Sequence, residues 1–440
     1  EAVAGDDVVL TIDSKLQKVV ENALKANIEK IRNGGFGKAY NAQGGACVVM
    51  NVKNGEVLAM ASYPDYNPQS FANGIGTEEW NSYLNNEAHP LLDKTIQSAY
   101  APGSIFKMVT AIAGLESGSI TLNDRINDVG QYKKYGATWD CWYYTDYHRG
   151  HGSLNVIGAI EKSCNYFFYE TADRMGIDNL NKYAKYFGLG TKTGIELPNE
   201  TAGTLASKDY VKAIKQNWNP GDTLNAAIGQ GYNRFTPLQM ANYVATLANG
   251  GTRYKGSIVD KITSPTGEVL QEYTPEVLDK LDIPANVLQV IKEGMRRVNT
   301  SPSNSSNYSL FASFPIEVAG KTGTADFSTQ EQYDYQGRKA YANYISFAPV
   351  NNPQIAIFST IYDGNRGANS AFVHKAIYEA YFKNELLNIN PNYPVTSTTY
   401  EKYVLAAPTD NKQGEEEENQ QDLNNQENQQ NIDNQQDLSN

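Results

Sequence analysis

The sequence predicts an α+β fold, with an antiparallel sheet built from both ends of the chain and a helical insertion between. Two observations carry this. Apolar runs of strand length stand near the start, at 45–52 and 55–62, and again near the end, at 316–320, 343–350 and 354–363. Between them, apolar residues recur at helical spacing in 104–117, 155–175 and 236–249. No internal repeat interrupts the pattern.

Taken in order, residues 14–32 read as an amphipathic helix, because Leu16, Val19, Val20, Leu24 and Ile28 fall on one stripe. Asp13 or Ser14 can cap it. The runs 45–52 and 55–62 are separated by a segment containing Asn54-Gly55, a strong hairpin signal. The helix over 104–117 begins just after Pro102-Gly103. Near the end, Asn351-Asn352-Pro353 turns one strand into the next, and residues 369–385 form a closing amphipathic helix. From about Pro408 the chain is Asn, Gln, Glu and Asp with few apolar side chains. Such a segment cannot bury enough surface to offset the entropy of ordering. The expected organisation is therefore one domain over 1–407 and a disordered acidic tail over 408–440.

Formal net charge is −12, and the segment from Asn411 to Asn440 alone carries −7, from eight acidic residues and one lysine. No cationic surplus exists to neutralise phosphates, which argues against a nucleic-acid partner. No stretch of eighteen apolar residues is present, so nothing reads as a membrane span. No signal peptide is visible, and the chain opens at Glu1 rather than Met, so it reads as a piece of a longer protein.

Three short strings carry chemistry. Ser104-Ile105-Phe106-Lys107 stands at a helix start, where residues three apart share a side. An amine beside a hydroxyl acts as its base once burial or nearby positive charge depresses its pKa. Ser163-Cys164-Asn165 offers a second hydroxyl to relay a proton and an amide to hold the amine and the substrate. Lys321-Thr322-Gly323-Thr324 follows a strand-like run, where glycine lets a substrate backbone approach and the cation and hydroxyls suit a carboxylate. Each string alone is weak. S-x-x-K, S-x-N and K-T-G in that order form the signature of penicillin-binding proteins and serine β-lactamases.

The sequence resembles the transpeptidase domain of class B penicillin-binding proteins, most closely their elongation-type branch. The likeness spans about residues 7–385. It includes Val8-Val9-Leu10-Thr11-Ile12-Asp13 at the opening and Gly44-Gly45-Ala46 with Gly55 to Ser62 in the first hairpin. Gly150-His151-Gly152, Gly229-Gln230-Gly231-Tyr232 and Thr236-Pro237-Leu238-Gln239-Met240 complete it. The resemblance implies a five-stranded antiparallel sheet flanked by helices, with a mostly helical subdomain. It implies that Ser104 attacks the carbonyl between the terminal D-alanines of a peptidoglycan stem peptide, with Lys107 as base. Ser163, oriented by Asn165, would pass a proton to the leaving D-alanine. The backbone N–H groups of Ser104 and Thr324 would form the oxyanion hole. Lys321, Thr322 and Thr324 would bind the terminal carboxylate of the donor or of a β-lactam, with Gly323 a substrate-binding position between them. Trp142 and Tyr232 would be cleft residues. No cofactor is needed for this chemistry. The whole protein would lie on the extracytoplasmic face of the bacterial membrane, with an upstream anchor and a glycosyltransferase partner. The alternatives from the same strings are a D,D-carboxypeptidase or β-lactamase-type hydrolase, or a non-catalytic β-lactam sensor. Against a β-lactamase, no Glu stands in the expected pattern after Asn165.

Two of the three cysteines and two of the four histidines fall within 24 residues. Cys141, His148, His151 and Cys164 would suit a structural zinc ion, which favours sulfur and nitrogen ligands. Asp140 or Asp146 could replace a histidine. Inert thiols with hydrogen-bonding histidines, or a disulfide, are the competing readings. Cys47, in an apolar run, reads as a buried small hydrophobe. His89 and His374 read as surface or packing residues.

Overall fold

The computed structural model describes residues 4–72, 74–325 and 340–394. The expected boundary at 407 and the acidic tail lie outside the described residues. The central sheet has five antiparallel strands: β1 (Gly45–Asn51), β2 (Val57–Tyr63), β3 (Ala319–Ala325), β4 (Tyr341–Ala348) and β5 (Ile355–Ile361). Their order across the sheet is β3-β4-β5-β1-β2, so strands from the two ends of the chain meet where β5 pairs with β1.

The helices named below are α1 (Ser14–Arg32), α2 (Lys107–Glu116), α3 (Trp142–Tyr147), α4 (Val156–Glu161), α5 (Asn165–Met175), α6 (Pro237–Ala248), α7 (Ala285–Thr300) and α8 (Ala371–Tyr381). Two hydrophobic cores lie on opposite faces of the sheet. One packs α1 and α8 against Cys47, Val49 and Ala59. The expected stripe of α1 is buried there, from Leu16 to Ile28, and each such side chain contributes about 1.5–3 kcal/mol. Asp13 supplies the cap, accepting from the backbone of Lys15 and Leu16. The other core packs α2, α4, α5, α6 and α7 against Val48, Met50 and Phe358.

Polar groups also join sheet to helix. His374 on α8 is fully buried, with Nδ1 at 2.6 Å from Ser346 Oγ on β4 and Nε2 at 2.8 Å from Ser359 Oγ on β5. Burial holds its pKa well below the ordinary value, so the ring stays neutral and packs as a hydrogen-bonding spacer.

The closing helix expected over 369–385 is α8 followed by a short helix, Lys383–Ile389, and three further expected elements differ in their bounds. The run 316–320 contributes only its end to β3, which instead continues through the K-T-G-T string. One reason is that Asn299 of α7 donates to the Val318 carbonyl at 2.9 Å, taking an acceptor a strand ladder would use. The helix expected over 104–117 opens with a 3₁₀ turn, Gly103–Phe106. The helix expected over 155–175 is two helices, α4 and α5, broken at Lys162-Ser163-Cys164. Ser163 there has φ +52°, a left-handed value rare for a residue with a side chain.

Candidate active site

Gly103, at φ +60°, turns the chain into the 3₁₀ turn. Residues three apart eclipse in such a turn, which stacks Lys107 under Ser104. The turn is pressed onto β3: a Cβ at Gly103 would lie 2.7 Å from the Thr324 carbonyl oxygen, and one at Gly323 would lie 2.6 Å from that of Pro102. Asn343 of β4, opposite Gly323 in the register, clamps the same loop by donating to the carbonyls of Ala101 (2.9 Å) and Pro102 (3.2 Å). Gly323→Ala is therefore expected to push the Ser104 turn off the strand. Acylation by a fluorescent penicillin should slow by about 10²-fold, the scale of an ångström-sized misplacement.

The second wall is the break between α4 and α5. Cys164 closes it by capping α5, its Sγ accepting from Phe167 N at 3.4 Å. The left-handed turn at Ser163 aims its hydroxyl at two buried amines. Lys107 Nζ lies 3.3 Å from Ser163 Oγ and also donates to the Ser163 carbonyl and to Asn165 Oδ1, both at 2.7 Å. Lys321 Nζ, reaching from β3, lies 2.9 Å from the same Oγ. The structure thus gathers Lys107, Ser163, Asn165 and Lys321 around one hydroxyl. Ser104, Thr322, Gly323 and Thr324 stand on the adjoining turn and strand.

Electrostatics follow from burial. Desolvation lowers the Lys107 pKa to about 8, against the opposing pull of Cys141 and Cys164. Lys321 is held well below its usual value, first by desolvation and then by the positive charge of Lys107.

Next to this wall lies a buried cluster. Asp128, Cys141, His151 and Cys164 place one ligand atom each within 4.8 Å of one another. His151 Nδ1 is 2.7 Å from Asp128 Oδ2 and 3.4 Å from Cys141 Sγ, and Cys164 Sγ is 3.2 Å from Asp128 Oδ2. The two thiols are 4.0 Å apart and form no disulfide. Burial works against the Asp128 carboxylate, but hydrogen bonds from the His151 ring, the His151 backbone and Gly130 hold its pKa below the usual range. Hydrogen bonding with Cys164 and then with His151 holds the Cys141 thiol below its ordinary pKa, against the effect of burial. The donor set, two sulfurs, one imidazole nitrogen and one carboxylate oxygen, suits a four-coordinate zinc ion.

His148 does not belong to this cluster. It is exposed at the C-terminus of α3, in a left-handed conformation that turns the chain back toward His151. Asp128 takes the fourth place. Neither Asp140, bonded to Gln131, nor Asp146, beside Arg366, substitutes for it. No spacing rule could have found Asp128, which lies 13 residues before Cys141 beyond an intervening hairpin.

The penicillin binding protein transpeptidase domain family matches residues 45–383. The chain belongs to that family. Its fold is the penicillin-binding transpeptidase fold, with the five-stranded sheet the family resemblance implied. Peptidoglycan D,D-transpeptidase MrdA of Escherichia coli (strain K12) is 33% identical over 377 residues, covering 83% of this chain and 56% of MrdA. The chain spans about half the length of the curated relatives it matches. Among solved structures, Pseudomonas aeruginosa PBP2 in complex with WCK 5153 is 30% identical, with a TM-score of 0.74 over 86% of this chain and 79% of that one. The penicillin G acyl-enzyme complex of penicillin-binding protein A from M. tuberculosis is 25% identical, with a TM-score of 0.69 over 86% and 81%.

Proposed function

We propose that this domain is a serine D,D-transpeptidase that cross-links peptidoglycan stem peptides through an acyl-enzyme on Ser104, and that β-lactams acylate the same serine. The observation that carries the reading is the Ser163 hydroxyl held between the amines of Lys107 and Lys321, beside the turn that presents Ser104.

In this mechanism, neutral Lys107 takes the Ser104 proton as Oγ attacks the carbonyl between the two D-alanines. The tetrahedral oxyanion lies against the backbone N–H groups of Ser104 and Thr324. The C–N bond then breaks, and Ser163 gives a proton to the departing D-alanine amine, refilled from Lys107. Both amines donate to Ser163 Oγ and occupy its lone pairs, which leaves the hydroxyl hydrogen free to point at the leaving group. Asn165 holds Lys107 on this path. The donor carboxylate, received by Thr322 and Thr324 and given room by Gly323, returns to Lys321 the negative partner that burial denies it. An acceptor amine from a neighbouring stem resolves the ester and forms the cross-link.

Asp128, Cys141, His151 and Cys164 would hold a structural zinc ion, whose contribution is to tie the loop before α3 to the S-x-N wall. It takes no part in bond making. An upstream membrane anchor, an extracytoplasmic location and a polymerising glycosyltransferase partner belong to the same proposal for the whole protein. No helix among the described residues is long and apolar enough to cross a membrane.

Native mass spectrometry after penicillin treatment tests the central claim. One adduct on Ser104, absent in Ser104→Ala and surviving for hours, is the expected result. Hydrolysis within seconds would favour the β-lactamase-type alternative. A stable adduct without cross-linking of donor and acceptor stem peptides would favour the sensor.

A further inference from the structure

Trp142 opens α3 and is 38% exposed, so burial of apolar surface does not explain it. What does is its one polar atom. Nε1–H lies 3.1 Å from the carbonyl oxygens of both Lys162 and Ser163. The ring is braced edge-on by Tyr143 and His151, at centroid distances of 5.5 Å each. The Ser163 carbonyl is therefore fixed by two donors, Trp142 Nε1 and Lys107 Nζ. It belongs to the residue whose left-handed backbone aims the relay hydroxyl. A left-handed conformation at a serine persists only where its surroundings over-determine it.

We propose that Trp142 is a positioning residue for leaving-group protonation: its indole N–H holds the Lys162–Ser163 backbone so that the Ser163 hydroxyl stays between Lys107 and Lys321. The inference rests on the relay role of Ser163 given above. Without the N–H, the Ser163 backbone relaxes toward ordinary values and its hydroxyl spends less time on the leaving amine. Attack by Ser104 is affected less, because Lys107 keeps its 2.7 Å bond to Asn165 Oδ1 when the Ser163 carbonyl shifts.

The test compares leaving groups. A D-alanyl-D-alanine peptide must lose an amine, which needs a proton. The thioester analogue of the same donor loses a thiolate, which does not. In Trp142→Phe, acylation by the amide is expected to slow about tenfold, the scale of one lost hydrogen bond, and acylation by the thioester less than about twofold. Melting temperature and zinc content should be unchanged. Replacing Trp142 by 3-benzothienylalanine, which keeps the bicyclic shape and lacks the N–H, should reproduce the split. Ser163→Ala should show the same split, larger. Equal losses on the two donors in both position-142 variants, with the split retained in Ser163→Ala, overturn the role of Trp142 alone. Absence of the split in Ser163→Ala as well overturns the relay and this inference with it.

Discussion

Lys107→Met is expected to slow acylation by a fluorescent penicillin about 10³-fold, within the range supplied by a positioned general base. Methionine keeps the apolar stem and removes the amine. The same substitution should leave thermal stability within about 1 kcal/mol of the parent, because removing a buried amine relieves its desolvation, while its three oxygen partners belong to the half-buried residues Ser163 and Asn165 and keep access to other donors. Loss of rate without loss of stability separates a base from a structural prop. The pH profile gives a second check. Burial depresses the Lys107 pKa to about 8, and the working form is the neutral amine. Acylation by the parent should therefore rise with pH up to about 8 and level off above it, and the residual rate of Lys107→Met should lack that rise. A parent profile that falls over the same range would exclude Lys107 as the base.

Cys141→Ser is expected to lower the melting temperature by roughly 5 °C, corresponding to about 3 kcal/mol of metal-linked folding energy in a domain of this size. Elemental analysis should show reduced zinc, and acylation should slow severalfold, because Cys141 begins α3 and α3 carries the indole that touches Ser163. His148→Ala should change none of these, since His148 is exposed and outside the cluster. Parent protein purified without chelators that contains no zinc would remove the metal from this account and leave the four side chains as a hydrogen-bonded cluster.

Much of the architecture was legible in the sequence where its cause is local. Asn54-Gly55 gives the first hairpin because the turn residues and the flanking apolar runs specify register together. The α1 stripe gives its helix and its buried face for the same reason. The site strings were legible by type and order, and the structure adds which atoms meet. What escaped was set by partners far along the chain. The break at Ser163 is invisible to periodicity, because apolar spacing continues across it from Ile160 to Phe167 while the backbone turns left-handed. The start of β3 was placed early because Ile316 and Val318 are apolar and buried, yet their burial is against core side chains and Asn299 rather than within the sheet ladder. Asp128 reads as an ordinary turn residue until the hairpin over 131–140 folds back and brings Cys141 to it. The strand Asp7–Leu10 pairs with Val259–Thr263, some 250 residues away, which no local pattern announces.

β3 ends the sheet, with its outer edge turned away from β4. Unfinished edges invite other sheets and are a hazard for most proteins. Here the Ser163 loop stands within the 2.9 Å reach of Lys321 at that edge. On the proposed function, the donor stem peptide must lie along β3 beside this contact. A single extended chain would suit such a strand edge, whereas a folded sheet would meet the Ser163 loop. Selection at this cleft would then start from how slim and straight a guest is, before any of its side chains is read.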